Sequence, residues 1–129
     1  MLVLADTTVL IDYLRNAPSA ERVASVLDRG DVVCTTAINV EEIMRGLRSS
    51  ERDVATRLVT GLVIVPLGAR EGWQAGEWRR QFGAQGTTLS QADCVIAAAA
   101  LSAGAVLATG NPKDFPMTEI TVEHWPVGR

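Results

Sequence analysis

Ser90-Gln91-Ala92-Asp93-Cys94-Val95-Ile96-Ala97-Ala98-Ala99-Ala100-Leu101-Ser102-Ala103-Gly104-Ala105-Val106-Leu107-Ala108 reads as a helix and a strand separated by one glycine. Ser90 is a helix N-cap type and Gly104 a stop. The run between them is apolar enough to be buried on every side. Ala105–Ala108 is then a short apolar strand. Asp93 is the last charge before Lys113. Residues 94–112 have the length of a membrane span, but they are rich in Ala and Gly and broken by Gly104 and Pro112, so a core helix feeding a buried strand fits better. A carboxylate at the mouth of such a helix is costly unless it is paired, hydrogen-bonded or bound to a metal.

The same alternation extends to both sides. Leu2–Ala5 reads as a buried strand and Thr7–Leu14 as a helix, followed by a break at Asn16-Ala17-Pro18. Ser19 is expected to cap a second helix that closes at Gly30, with Val23, Val26 and Leu27 on its buried face. Val32–Thr35 is a strand and Ala37–Leu47 a helix. Ser50-Glu51-Arg52-Asp53 resembles a capping box for a helix ending near Gly61. Leu62–Val65 is a strand stopped by Pro66. Ala69–Phe82 reads as an exposed helix carrying Trp73, Trp78, Arg79 and Arg80, and Gly83–Leu89 as a loop. Ile120–Val122 is expected as a last strand. Strands alternating with helices imply an α/β fold with a central, mostly parallel sheet flanked by helices. One domain over residues 1–129 is expected, with no linker or repeat.

Composition narrows the function. The chain has 129 residues, 47% of them apolar and 21% charged, which predicts a folded domain. A net charge of −3 argues against broad non-specific binding to nucleic acid, though not against a local basic patch. Arg45, Arg48, Arg52 and Arg57 form such a stretch, readable as a solvated face or as a contact to RNA phosphate. Two cysteines, Cys34 and Cys94, make neither a disulfide framework nor a zinc set, and both read as core residues. Asp6 and Asp12 interrupt the N-terminal apolar stretch, so no signal peptide or membrane segment is expected and the cytosol is the expected location.

Four acids stand at the edges of apolar segments: Asp6, Glu42, Asp93 and Asp114. In open parallel sheets ligands collect beyond the carboxyl ends of the strands, and this topology can gather all four there. An oxygen-only set suits Mg²⁺ or Mn²⁺. Each acid also has a structural explanation. Asp6 is placed to cap the following helix, and Asp93 stands three residues after Ser90, as in a capping box. Glu42 lies opposite the stripe Val40, Ile43, Met44 and Leu47 and reads as solvated, with Glu41 a rival. Asp114 is a plausible turn residue. His124 is assigned no catalytic role, and Trp73 and Trp78 read as packing or interface residues rather than base-stacking ones.

Four segments together resemble the PIN-domain ribonucleases, specifically the VapC-type toxins of bacterial toxin–antitoxin pairs. They are Asp6-Thr7-Thr8-Val9-Leu10-Ile11-Asp12, Thr36 through Glu42-Ile43-Met44-Arg45-Gly46, Leu89 through Asp93 to Ala98, and Thr109-Gly110-Asn111-Pro112-Lys113-Asp114-Phe115. The second segment, with a Glu four residues before a Gly, selects Glu42 over Glu41. The resemblance implies a three-layer PIN-like fold and a Mg²⁺- or Mn²⁺-dependent endoribonuclease. Asp6, Glu42 and Asp93 match its acidic core and Asp114 its more variable fourth acid. Thr8 and Thr109 match polar residues that orient ligands or water. It further implies a homodimer, a small antitoxin that covers the site, and a structured RNA target such as a tRNA or a ribosomal RNA loop. Two other readings stay open. One is a receiver-like domain in which an Asp accepts phosphate beside Mg²⁺. The other is a PIN fold that binds RNA or protein with a decayed site.

Overall fold

In β1 (Leu2–Ala5), Val3 and Ala5 face one side of the sheet and Leu4 the other, and all three are essentially inaccessible to solvent. The alternation repeats in β2 (Val32–Thr35) with Val33 against Cys34, and in β4 (Val106–Thr109) with Ala108 against Leu107. A strand of period two that is apolar on both faces needs cover on both. The computed structural model, which describes residues 1–15 and 17–128, supplies it. On the Val3 side lie α1 (Thr7–Leu14), α2 (Ser19–Asp28), α3 (Ala37–Gly46) and α4 (Arg52–Gly61), through Val9, Leu10, Val23, Val26, Ile43 and Ala55. On the Leu4 side lie α5 (Ala69–Ala84) and α6 (Gln91–Ala103), through Ala75, Trp78, Ile96 and Ala97–Ala100. The result is the expected three-layer α/β architecture.

Two edge strands, β3 (Val63–Ile64) and β5 (Val122–His124), complete a sheet ordered β3-β2-β1-β4-β5, in which every pairing is parallel. The register places Leu4 beside both Cys34 and Leu107. After β1 the chain builds outward through β2 and β3, then returns to the other side of β1 for β4. The order therefore reverses between β1 and β4, and parallel sheets bind ligands in the crevice at such a reversal.

The decisive helix forms as read. Ser90 Oγ accepts the Asp93 N–H at 3.0 Å, and the chain leaves the helix through Gly104 at φ 65°, a conformation that a Cβ disfavours. Ala97–Ala100 are all at most 1% exposed, so small side chains let α6 lie close to the sheet and α5 at once. Both cysteines are free and buried, as expected, and burial pushes the Cys34 thiol up to about 11.

Several expectations are corrected. Ser19 does not cap α2; its amide donates to Asp12 Oδ2 at 2.8 Å, so a carboxylate from the preceding helix satisfies the helix start. Leu27 is 53% exposed and leaves the apolar face to Val23 and Val26. Ser50 lies in a short 3-10 turn, Ser49–Glu51, where Glu51 Oε1 accepts the Arg48 N–H at 3.0 Å instead of a Ser50 cap. The helix over Ala69–Ala84 is exposed along most of its surface, as read, but one stripe of it is buried. Glu71, Ala75 and Trp78 form its inner stripe, with Trp78 at 1% and Trp73 at 77% exposure. The last strand is Val122–His124 rather than Ile120–Val122, because its pairing with β4 starts where the Leu107 N–H reaches Thr121 O. Asn16, in the expected break, lies outside the described residues. No helix among the described residues is long and apolar enough to cross a membrane.

Candidate functional site

Asp6 is the first residue beyond β1, and its backbone keeps it in the sheet while starting a helix. Its N–H donates to Ala108 O at 2.9 Å, and its carbonyl accepts from Val9 and Leu10 of α1. The side chain, 7% exposed, makes no N-cap hydrogen bond. Instead Oδ2 accepts the Thr109 hydroxyl at 2.8 Å across the β1–β4 crevice, and Oδ1 accepts the Asn39 amide at 3.3 Å. Simple helix capping therefore does not explain Asp6. Burial pushes its carboxyl above the ordinary value, and the charges of Asp93 and Glu42 add to that, against the Thr109 bond and the Thr7 amide.

Asp93, in the first turn of α6, is partly buried. Only half of a capping box forms there: Ser90 caps the helix, and the Asp93 carboxylate does not reciprocate. Burial raises the Asp93 carboxyl, Asp114 and Glu42 add to the rise, and Ser90 opposes it. Asp114, in the short 3-10 turn Pro112–Asp114, is exposed and stands at the rim on the Asp93 side.

Glu42 is not a freely solvated residue. Its Oε1 accepts the Thr7 hydroxyl at 2.6 Å, while the rival Glu41 is exposed. The apolar stripe of α3 is narrower than its sequence suggests, with Ile43 fully buried and Met44 39% exposed. The four acids thus converge beyond the carboxyl ends of β1, β2 and β4, close enough for their charges to act on one another. As the side chains stand, no group of three or more acidic, His or Cys residues among the described residues is drawn together tightly enough to hold an ion.

Of the two threonines, Thr109 is fully buried and directly aligns Asp6, while also accepting the Asn111 N–H at 3.0 Å. Thr8 does something else: its hydroxyl accepts the Gly110 N–H at 3.0 Å and so ties the loop after β4 to α1. A Cβ at Gly110 would come within 2.9 Å of Val127 and 3.3 Å of Thr8 Oγ1, so the glycine permits this close approach. Sequence reading missed Thr7 and Asn39. Asn39 is buried and stands in a helical turn with Glu42, which was the available signal. His124, Trp73 and the arginines Arg45, Arg48, Arg52 and Arg57 are all exposed, and none hydrogen-bonds to the four acids among the described residues.

Raised carboxyls fix a pH response. A group whose folded pKa is raised contributes stability below its unfolded pKa and loses it as pH rises through the folded value. For Asp6 and Asp93 that loss begins above the unfolded value near 3.8 and proceeds as pH rises through their raised folded values. In chelator, an Asp6→Asn/Asp93→Asn variant is therefore expected to melt above the wild type at pH 7, with a gap that shrinks toward about pH 4. Thermal melts across that range check this, and a constant or inverted gap would contradict it.

The PIN domain family model matches residues 3–119. Ribonuclease VapC1 of Haemophilus influenzae is 31% identical over 133 residues, covering 97% of this chain and 98% of the relative. The solved VapBC-1 structure from nontypeable Haemophilus influenzae superposes with a TM-score of 0.80 at 26% identity, over 97% of this chain and 98% of that one. VapBC-5 from Mycobacterium tuberculosis, described as a member of the VapBC family of toxin-antitoxin systems, shares the fold at a TM-score of 0.71 and 17% identity, over 96% and 98% of the two chains. With four acids gathered at the sheet reversal and a family match over nearly its whole length, the chain belongs to the PIN-domain family, in its VapC group.

Proposed function

We propose that this protein is a divalent-metal-dependent endoribonuclease acting as the toxin of a toxin–antitoxin pair. The observation that carries the reading is the convergence of Asp6, Glu42, Asp93 and Asp114 at the β1–β4 crevice, with Asp6 and Asp93 raised by burial and by the charges of acidic neighbours in the set. Family membership and the ribonuclease name of the 31% identical relative support RNA as the substrate. The VapBC relatives support a small antitoxin partner. A homodimer and a structured RNA target remain what the resemblance implies, and the cytoplasm is where such a target is met.

The residues fit Mg²⁺ or Mn²⁺. All donors are oxygens, which such ions prefer over nitrogen or sulfur. The carboxylates repel one another, and a dication held by them would offset that repulsion and lower the raised carboxyls. Bound in that way, the metal supplies an activated water and offsets charge on the scissile phosphate. The chain's own part is to hold the ligands. Asp6 is fixed from two sides by Thr109 and Asn39, Glu42 is fixed by Thr7, and Asp93 projects from the capped end of α6. Asp114, on the exposed rim, completes the set from the substrate side. In-line hydrolysis at such a site leaves a 5′-phosphate and a 3′-hydroxyl.

The receiver-like alternative is not favoured. Such domains order their strands 2-1-3-4-5, whereas this sheet runs β3-β2-β1-β4-β5, and no Asp stands between β3 and the helix after it. Induced expression in a bacterial host tests the proposal. Growth should stop with the wild type, continue with a variant lacking Asp6, and resume when an antitoxin that binds the chain is supplied. Equal arrest by both proteins would exclude the acids as its cause.

A further inference from the structure

Asn39 is fully buried on α3, where side chains from α1, α3 and the end of β2 meet. Its orientation follows from its partners. Oδ1 accepts the Thr36 N–H at 3.2 Å and the Thr36 hydroxyl at 2.7 Å. A peptide N–H only donates, so the amide oxygen must face Thr36, and a flipped amide would set its own N–H against the Thr36 N–H. The Nδ2 group therefore points the other way with two protons. Two acceptors are there to receive them, Thr7 Oγ1 at 3.0 Å and Asp6 Oδ1 at 3.3 Å. Having accepted from Asn39, the Thr7 hydroxyl has one proton to give, and Glu42 Oε1 lies 2.6 Å away. The direction of every bond in this chain is thus set by one backbone N–H.

We infer that Asn39 is a positioning residue whose amide aligns the Asp6 carboxylate directly and the Glu42 carboxylate through Thr7. The inference rests on the metal-dependent reading above. Two carboxylates that repel each other need a restraint that adds no charge of its own. An Asp at position 39 would add a third negative charge, and a Lys would place a cation among the acids. A neutral donor pair of fixed direction ties both acids from behind and leaves their remaining lone pairs free for a ligand. Partners of this kind, one bond removed from the ion, typically change metal affinity about 10–100-fold when lost.

Thr7→Val and Thr7→Ser separate positioning from packing, since Val keeps the shape and loses the hydroxyl, whereas Ser loses the methyl and keeps the hydroxyl. Mn²⁺ affinity measured by calorimetry on the full chain is the readout, beside the melting temperature in chelator. Thr7→Val should weaken Mn²⁺ about tenfold or more and Thr7→Ser less than about twofold, with similar metal-free melting. Asn39→Leu should weaken it at least as much as Thr7→Val. The double variant should lose less than the product of the two, because the Glu42 restraint is lost only once. Unchanged affinity in Thr7→Val, or equal weakening in Thr7→Ser, would overturn the inference. If Asn39→Leu fails to fold, the Thr7 pair alone decides. A wild type that binds no Mn²⁺ would overturn the metal-dependent reading itself, whereas tight wild-type binding with an indifferent Thr7→Val removes only the positioning role.

Discussion

Asp93→Asn is expected to lower RNA cleavage by about 10³-fold or more, beyond the 10–100-fold that loss of an outer partner costs, while leaving the protein folded. The helix cap does not depend on the side chain, because Ser90 Oγ holds the Asp93 backbone N–H. The substitution also removes a charge that burial, Asp114 and Glu42 all disfavour, so the metal-free variant should be no less stable than the wild type at neutral pH. Cleavage assays on purified protein beside thermal melts check both halves. Wild-type cleavage by Asp93→Asn would remove Asp93 from the site. Unfolding of the variant would show that the carboxylate serves the fold rather than the chemistry.

Asp12→Ala is expected to have the opposite profile. Asp12 lies six residues after Asp6 in the same opening segment, yet the two acids do different work. Asp12 Oδ2 accepts the Ser19 N–H at 2.8 Å and Oδ1 the Gly128 N–H at 3.0 Å, binding the start of α2 and the C-terminal segment to α1. Burial alone would raise its carboxyl, but those two amides outweigh it and hold it below the ordinary value. Its stabilisation is therefore present above the unfolded pKa and lost as pH falls through the folded one. Truncation to Ala leaves two amides without their acceptor, at roughly 1–3 kcal/mol each where water cannot replace it. A loss of about 3 kcal/mol would lower the melting temperature by roughly 10 °C for a chain of this size. Assayed well below its melting point, the variant should keep most of its cleavage activity. A melting temperature within about 2 °C of the wild type would contradict this role.

The pair shows what a linear reading reaches and what it does not. Asp6 and Asp93 were visible because each interrupts an apolar run at its edge, and burial of those runs follows from composition. The layer order was visible because helix and strand periods alternate along the chain. Glu42 was not visible from periodicity, which places it away from the apolar stripe. Only its spacing before Gly46 selected it, and its anchor Thr7 lies 35 residues away in sequence. Asn39 lies one turn before buried Ile43, but the residue type alone does not tell a buried amide from any polar position of an amphipathic helix. The sequence reads Ala69–Phe82 as an exposed helix, whereas its inner stripe of Glu71, Ala75 and Trp78 is buried. In the fold the Glu71 carboxylate is satisfied by the Gly68 N–H at 2.7 Å and by the Ser102 hydroxyl, which permits its burial. Ser19 had the right chemistry for a cap, but the carboxylate of Asp12, seven residues earlier, took that place.

The most direct test of a metal-dependent ribonuclease at these four acids is the chemistry of the RNA ends it makes. Purified protein is incubated with total RNA in Mg²⁺ or in chelator, and new ends are captured by a ligation that requires a 5′-phosphate. Discrete 5′-phosphate ends that appear with Mg²⁺, and are absent with chelator and with Asp93→Asn, are the expected result. Ends that form equally in chelator, or that carry a 5′-hydroxyl, would contradict it.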